Sequence, residues 1–288
     1  MKTYYYVLFA LFSGILLFIG CSDYGNELQY VKYGKISVKL TDAPFPYDFI
    51  DEANVTIYKI ETRVKNLDES KGDQDDSNFE VLYEGEQKVN LLTLTNGVTM
   101  AMGEAEVPVG SYDLVRVYIK EGSVVLKDGT TFDLKVPSGE QTGIKVFVNP
   151  AIDVFSSLSS DLLLDIDVSK SFIAKGNIES MGGITGFNFK PVIRASNMST
   201  AGSLAGRVTT LVEEVETGID GVQISVWDGE EHITSTSTDE SGNYMVLGLE
   251  EGTYTIQAEA MDYTTNIKED VAILAANKTT VDFEMIAK

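Results

Sequence analysis

An all-β fold, with two antiparallel β-sandwich domains in tandem behind a leader segment, follows from three features of the 288-residue sequence. Apolar and polar residues alternate with period two from Lys35 onward, turn-forming residues recur at short intervals, and no long amphipathic helix pattern occurs after Cys21. Period-two alternation places every second side chain on one face, so each such segment has a buried and a wet side.

The leader comes first. Met1 and Lys2 precede an apolar run from Val7 to Gly20, which is too short for a membrane-spanning helix and suits a secretory signal. The sole cysteine of the chain, Cys21, follows directly. The stretch Leu17-Phe18-Ile19-Gly20-Cys21 resembles the lipobox of bacterial lipoproteins, with Phe18 at the place usually held by leucine. That resemblance implies cleavage after Gly20, acylation of Cys21 with palmitate among the chains, and an outer-membrane setting facing either the periplasm or the cell surface. An ordinary signal peptide or an uncleaved anchor are the other readings, and the position of the only cysteine is what favours the lipoprotein. Several acyl chains far exceed the grip of one, since each buried methylene contributes about 0.8 kcal/mol.

Charge narrows the partners. The chain carries 22 basic and 44 acidic residues, and loss of residues 1–20 removes only Lys2, leaving 21 against 44 and a net charge of −23. Nucleic acid and anionic membrane surfaces would both repel it, so contact with the membrane is expected through the lipid. With Cys21 acylated no disulfide within the chain is available, and stability rests on packed cores.

The sequence divides into the signal peptide 1–20, a tether over 21–34, a first domain over 35–196, a linker over 197–201 and a second domain over 202–288. Ile36, Val38 and Leu40 open the first domain on one strand face. Val55 and Ile57 keep the phase of their strand, whereas Ile60, Thr62 and Val64 run one residue out of step, which predicts a bulge near Tyr58 and Lys59. Further strands are expected at 79–83, 112–120, 123–127, 131–136, 144–148, 162–168 and 186–195, with a tight hairpin at Asp128-Gly129 and helical turns at 91–95 and 169–174. The small polar stretch 197–202 marks the domain boundary. After it, seven short segments at 202–210, 221–227, 232–238, 243–247, 252–261, 267–274 and 279–285 predict a compact sandwich.

Two resemblances overlie this reading. Gly202-x-x-x-Gly206-x-Val208, Gly221-Val222-x-Ile224-x-Val226, Thr238-Asp239-x-x-Gly242-x-Tyr244 and Leu249-x-x-Gly252-x-Tyr254-x-Ile256-x-Ala258 resemble the carboxypeptidase regulatory-like domain, a prealbumin-like sandwich. The glycines permit turns, Asp239 can bond its own turn and the tyrosines anchor strands. Residues 34–196 are similar to a lipoprotein family known only as a domain of unknown function, numbered forty-three eighty-two. The matching stretches are Gly34 to Pro44, Val89 to Leu94, Val107 to Tyr112, Val136 to Gly139 and Phe189 to Arg194. That family implies an exported sandwich and no established reaction.

Candidate chemistry is sparse. His232, the single histidine, lies at a strand start and reads as a surface residue, so a serine triad has little support. Among the 44 acids no spacing in the sequence selects a carboxylate pair of glycosidase type. Asp73, Asp75 and Glu84 fall at positions one, three and twelve of an imagined calcium loop, but Asn78 stands where such a loop needs glycine, so a solvated hairpin is preferred over a Ca2+ site. In Thr41 to Phe49, the rings of Phe45, Tyr47 and Phe49 alternate with Asp42 and Asp48. They suit either sugar stacking or capping of the core, with Asp42 fixing the turn. Trp227 has the same two readings, ligand platform or strand-end core residue. The expected role is a non-enzymatic binding or structural module with no cofactor, taking a surface glycan or docking an envelope protein in adhesion or assembly. A carboxylate-dependent hydrolase is the lower alternative.

Overall fold

The computed structural model describes residues 32–43, 49–65, 79–136, 142–178 and 180–288. Cys21, the leader, Phe45, Tyr47, Asp73 and Asp75 lie outside these residues.

The first domain contains β1 (Tyr33–Ala43), β2 (Ile50–Val64), β3 (Phe79–Asn90), β4 (Met100–Pro108), β5 (Gly110–Leu126) and β6 (Thr131–Leu134). It continues with β7 (Ile144–Val154), β8 (Ser159–Asp167), β9 (Phe172–Gly176), β10 (Ile184–Phe189) and β11 (Ile193–Asn197). Among the described residues, nine of these strands form one sheet in the order β3-β2-β5-β7-β11-β8-β1-β4, with β6 joined to β5 and with β9 and β10 forming a separate ribbon. The sheet folds over at β7, so its two halves face each other across a core that includes Ile36, Val38, Leu40, Val55, Ile57, Val117, Ile119, Ile152, Leu164 and Ile166. Burial of these side chains is the main favourable term, at about 25 cal/mol per Å² of apolar surface.

Period-two alternation identified strands but not their directions. Most pairs are antiparallel, yet β1 runs parallel to β8 through nine registered pairs from Lys35 and Ser159 to Ala43 and Asp167. Parallel pairing puts the starts of β1 and β8 at one end of the domain and their finishes at the other.

The bulge expected at Tyr58 and Lys59 is present: the register of β2 shifts between Ile57 and Lys59 against both β3 and β5. A second bulge was not expected. The segments 112–120 and 123–127 form one 17-residue strand, β5, whose register against β2 shifts between Glu121 and Ile119. Val115, Val117 and Ile119 face the core before it and Val124 and Leu126 after it, so Lys120 and Glu121 both point outward. The strand β4 was also missed, because Met100-Ala101-Met102-Gly103 has little β-propensity and is held by pairing with β1. At Asp128-Gly129 the hairpin forms as expected: Gly129 has φ of 85° and the Asp128 carboxylate accepts from the Thr130 N–H at 2.9 Å.

The second domain comprises β12 (Gly202–Val212), β13 (Val215–Gly218), β14 (Gln223–Asp228), β15 (Glu231–Ser237), β16 (Asn243–Leu249), β17 (Gly252–Glu259), β18 (Asn266–Ile273), β19 (Lys278–Thr280) and β20 (Phe283–Glu284). One sheet joins β12 to β13, β16, β19 and β20; the other has the order β15-β14-β17-β18. Their facing sides enclose Leu204, Val208, Val222, Ile224, Val226, Tyr244, Ile256 and Phe283. Asp239 bonds its own turn, accepting from the N–H groups of Ser241 and Asn243 at 2.9 and 2.8 Å.

Residues 32–288 form one compact unit. The stretch 197–201 is an ordered turn in which the Thr200 and Ala201 N–H groups donate to the Asn197 carbonyl. The second domain covers the outer face of β8 and β11. Arg194 donates to Asp165 at 2.9 Å and to the Gly248 carbonyl at 3.1 Å, and Ser196 donates to that same carbonyl at 2.8 Å. Leu163, outside the main core, is buried beneath this contact, within 3.0 Å of where a Cβ on Gly248 would stand. Asn96 adds a clamp: its amide donates to the Asn243 carbonyl and accepts from the Met245 N–H, imitating a strand neighbour along β16.

Candidate functional site

A concavity lies beside the β5 bulge. A cleft of about 440 Å³ opens on the outer face where β2, β3, β5 and β6 meet, lined by Asn54, Thr56, Lys88, Glu121, Ser123 and Asp133 with Gly122 and Leu134. Asn54 and Thr56 alternate with the core residues Ala53, Val55 and Ile57, which is why they face outward. Lys88 stands opposite Thr56, Glu121 opposite Thr56 on the other side, and Asp133 opposite Ser123. Asn54 is buried at the floor, its amide donating to Glu52 at 2.8 Å and to Ser123 at 3.5 Å. A side chain on Gly122 would press against the Phe189 ring at 3.3 Å, so the floor follows the backbone there. Amide, hydroxyl, ammonium and carboxylate groups thus converge on one wet cavity, a donor and acceptor set suited to a polyhydroxylated ligand. Sequence reasoning missed all of these residues. The phase change between Ile119 and Val124 was the signal that marked the place.

A second polar cluster lies nearer the other end of the same strands. Glu61 is buried and accepts from Tyr118 at 2.6 Å, with Lys59 at 2.5 Å and Arg116 at 3.4 Å, while Arg116 stacks on Phe79 at 3.9 Å. Burial works to raise the Glu61 carboxyl, but the hydrogen bonds from Lys59, Tyr118 and Arg116 together hold it below its ordinary value. Burial and the Glu61 carboxylate push the Tyr118 hydroxyl up to about 12. The network is internally matched and so reads as structural.

The sequence-derived candidates take other places. Asp42 is buried at the end of β1, where its carboxylate accepts from the Val168 N–H at 3.1 Å and so fixes the helical turn Val168–Ser171; this takes it out of any surface site. Phe49 is partly buried against the core of the first domain. Trp227 is half-buried, edge-on to the His232 ring at 4.9 Å, with its indole N–H covered. His232 is held below its ordinary pKa by burial and then by Lys170, whose ammonium donates to the His232 carbonyl at 3.1 Å. Glu84 is an exposed residue of β3 paired in register with Lys59. Among the described residues no three His, Cys, Asp or Glu side chains come together as a metal ion would require, and no helix is long and apolar enough to cross a membrane.

Residues 33–191, more than half of the sequence, match the family model described as "Domain of unknown function (DUF4382)". The chain belongs to this family. Its DUF4382 domain holds the cleft, and residues 203–286 match the carboxypeptidase regulatory-like domain. No curated protein matches the chain. Among solved structures it aligns with the minor pilin GBS52 of Streptococcus agalactiae at 12% identity, over 88% of this chain and 96% of that one, with a TM-score of 0.27. BcpA, the major pilin subunit of Bacillus cereus, aligns at 9% identity over 89% and 71%, with a TM-score of 0.26. A chain of a type II cohesin–X-dockerin complex from Acetivibrio cellulolyticus aligns at 18% identity over 30% of this chain, with a TM-score of 0.24; the match spans 58% of that chain. TM-scores this low carry no functional argument.

Proposed function

We propose that this DUF4382 protein is a lipid-anchored extracytoplasmic module, held at the outer membrane through acylated Cys21, that binds a surface glycan in the β2-β3-β5-β6 cleft without a cofactor. The observation that carries this reading is the cleft itself: six polar or charged side chains, Asn54, Thr56, Lys88, Glu121, Ser123 and Asp133, around about 440 Å³. Hydroxyl-rich ligands are recognised by such convergent donors and acceptors, and a buried polar group left unpaired by a wrong ligand costs about 1–3 kcal/mol, which supplies selectivity. The second domain, docked through Arg194 and Asn96, serves as a structural module that holds a fixed orientation to the first.

A glycan array with the full chain in detergent tests the proposal. Binding should weaken about tenfold in Asp133→Asn or Lys88→Ala, as expected for the loss of one charged contact. Absence of binding to any glycan would turn the reading toward docking of an envelope protein. That alternative is favoured by one observation: the β12–β13 hairpin exposes Leu211, Val212 and Val215 together. Cross-linking in intact cells would then capture a stoichiometric protein partner. The hydrolase alternative rests on Glu121 and Asp133 lining one cleft, and release of reducing ends from a bound glycan, lost in Glu121→Gln, is its signature.

A further inference from the structure

The parallel pairing of β1 with β8 gathers three chain segments at the end of the first domain where the chain arrives from residue 31. Tyr33 begins β1, Val109 forms the β4–β5 turn, and Phe155 and Leu158 flank the β7–β8 turn. Backbone hydrogen bonds tie them together: Val109 N–H donates to Lys32 at 2.8 Å, Ser157 N–H to Tyr33 at 3.0 Å, and Lys35 N–H to Leu158 at 2.8 Å. These four large apolar side chains are 51%, 42%, 60% and 59% exposed. Turns normally expose polar residues, and two apolar turns beside an exposed strand-start tyrosine form a patch of the kind that marks a contact surface.

We propose that this end of the DUF4382 domain seats directly on the uncharged surface of the membrane to which the chain is anchored. The proposal rests on the anchor reading and adds to it, because an acylated Cys21 alone leaves the domain free to stand off. Residues 22–32 between the acylated cysteine and Tyr33 reach at most roughly 35–40 Å when extended. That length confines the domain near the membrane, and the apolar end is the one at which the tether joins. An aromatic ring with a hydroxyl, Tyr33, suits the headgroup level, while Phe155 and Leu158 suit the acyl boundary a few ångströms below. Charge selects the lipid: a mature chain of net −23 is repelled by anionic headgroups, so the partner surface is zwitterionic. The second domain, by contrast, packs on the outer faces of β8 and β11 and reaches the far end of β8 through Lys170 and His232. Seating would therefore hold it on the side away from the membrane, with the cleft on the flank of the first domain.

The test uses the full acylated chain reconstituted into phosphatidylcholine and phosphatidylethanolamine vesicles with brominated acyl chains. Phe155→Trp and, separately, Leu158→Trp introduce an indole into the patch, and Val212→Trp places one at an exposed site of the second domain. The wild-type chain supplies the Trp227 background. The patch indoles should be quenched by brominated lipid and lose quenching by aqueous acrylamide, whereas the Val212→Trp indole keeps acrylamide quenching and ignores the lipid. If the protein floats with the vesicles but all three indoles remain equally open to acrylamide, the seat is overturned and the anchor stands. If the protein fails to float, anchor and seat fall together.

Discussion

The two domains use buried polarity in opposite ways. Every charged side chain buried among the described residues, Asp42, Glu61, Arg116, Asp165 and Asp167, belongs to the first domain, whereas the second buries only serines and threonines beside its apolar core. In the second domain the sequence motifs are accounted for by backbone geometry. Gly206 permits β12 to pass so close to Val281 that a Cβ would stand 1.8 Å from its carbonyl oxygen, and Gly242 turns with φ of 83° beneath the bonds of Asp239. Little is left unexplained there, as in a scaffold. Both domains carry register shifts in their strand pairs, but among the described residues the first alone matches a buried carboxylate to three donors, and it opens a polar cleft lined by charged side chains. Buried charges cost stability, and all of them lie in the domain that also holds the polar cleft.

Four measurements break or sharpen this contrast, the largest effect first. Gly206→Ala should destabilise the second domain by about 3 kcal/mol or more, since the clash is with backbone that cannot rotate away. Urea unfolding followed by the Trp227 fluorescence would show it, and an unchanged midpoint would mean that the close approach of β12 to Val281 is not what holds this domain. Arg194→Ala removes the cationic partner of the buried Asp165 carboxylate, leaving it the Thr234 hydroxyl, and takes one of two side-chain donors from the Gly248 carbonyl; with Arg194 itself partly exposed, a loss of about 2 kcal/mol is expected. Splitting of one calorimetric transition into two would accompany it, and a single unshifted transition would show that the domains do not depend on this contact.

Glu61→Gln tests whether the buried network is structural, at about 1–2 kcal/mol near neutral pH. Because the folded carboxyl is held below its unfolded value of about 4.5, its contribution is complete above that value and disappears as pH falls through the lower folded value. The wild type should therefore lose stability in that acid window while the variant loses less. Identical acid limbs for the two chains would dismiss the network. The smallest effect is a gain: Glu213 and Glu214 form the two-residue β12–β13 turn with φ of 51° and 66°, and Glu214→Gly should stabilise by about 0.5–1 kcal/mol in thermal unfolding. A loss there would mean that the glutamate side chain holds the hairpin in a way its backbone does not reveal.

Much of the fold was legible from local pattern. Period two located most strands, the slip between Ile57 and Ile60 announced the first bulge, and Asp128-Gly129 specified its hairpin, since each depends on neighbours within a few residues. The site was not legible in the same way. Asp42 and Trp227 were singled out for their chemistry, yet Asp42 turns inward to hold the Val168 N–H and Trp227 packs against His232. The cleft residues come from four strands separated by up to 79 positions, from Asn54 to Asp133, so no spacing rule joins them.

Sequence alone determined that this chain is all-β, acidic and divided into a DUF4382 domain and a carboxypeptidase regulatory-like domain, because alternation, composition and motif order are properties of the linear chain. Only the tertiary structure decided strand direction and long-range register. The parallel pairing of β1 with β8, the meeting of Asn54 with Asp133 and the burial of Asp165 under the second domain all depend on which strands become neighbours. That choice is made by the collective packing of two cores, and no single segment encodes it.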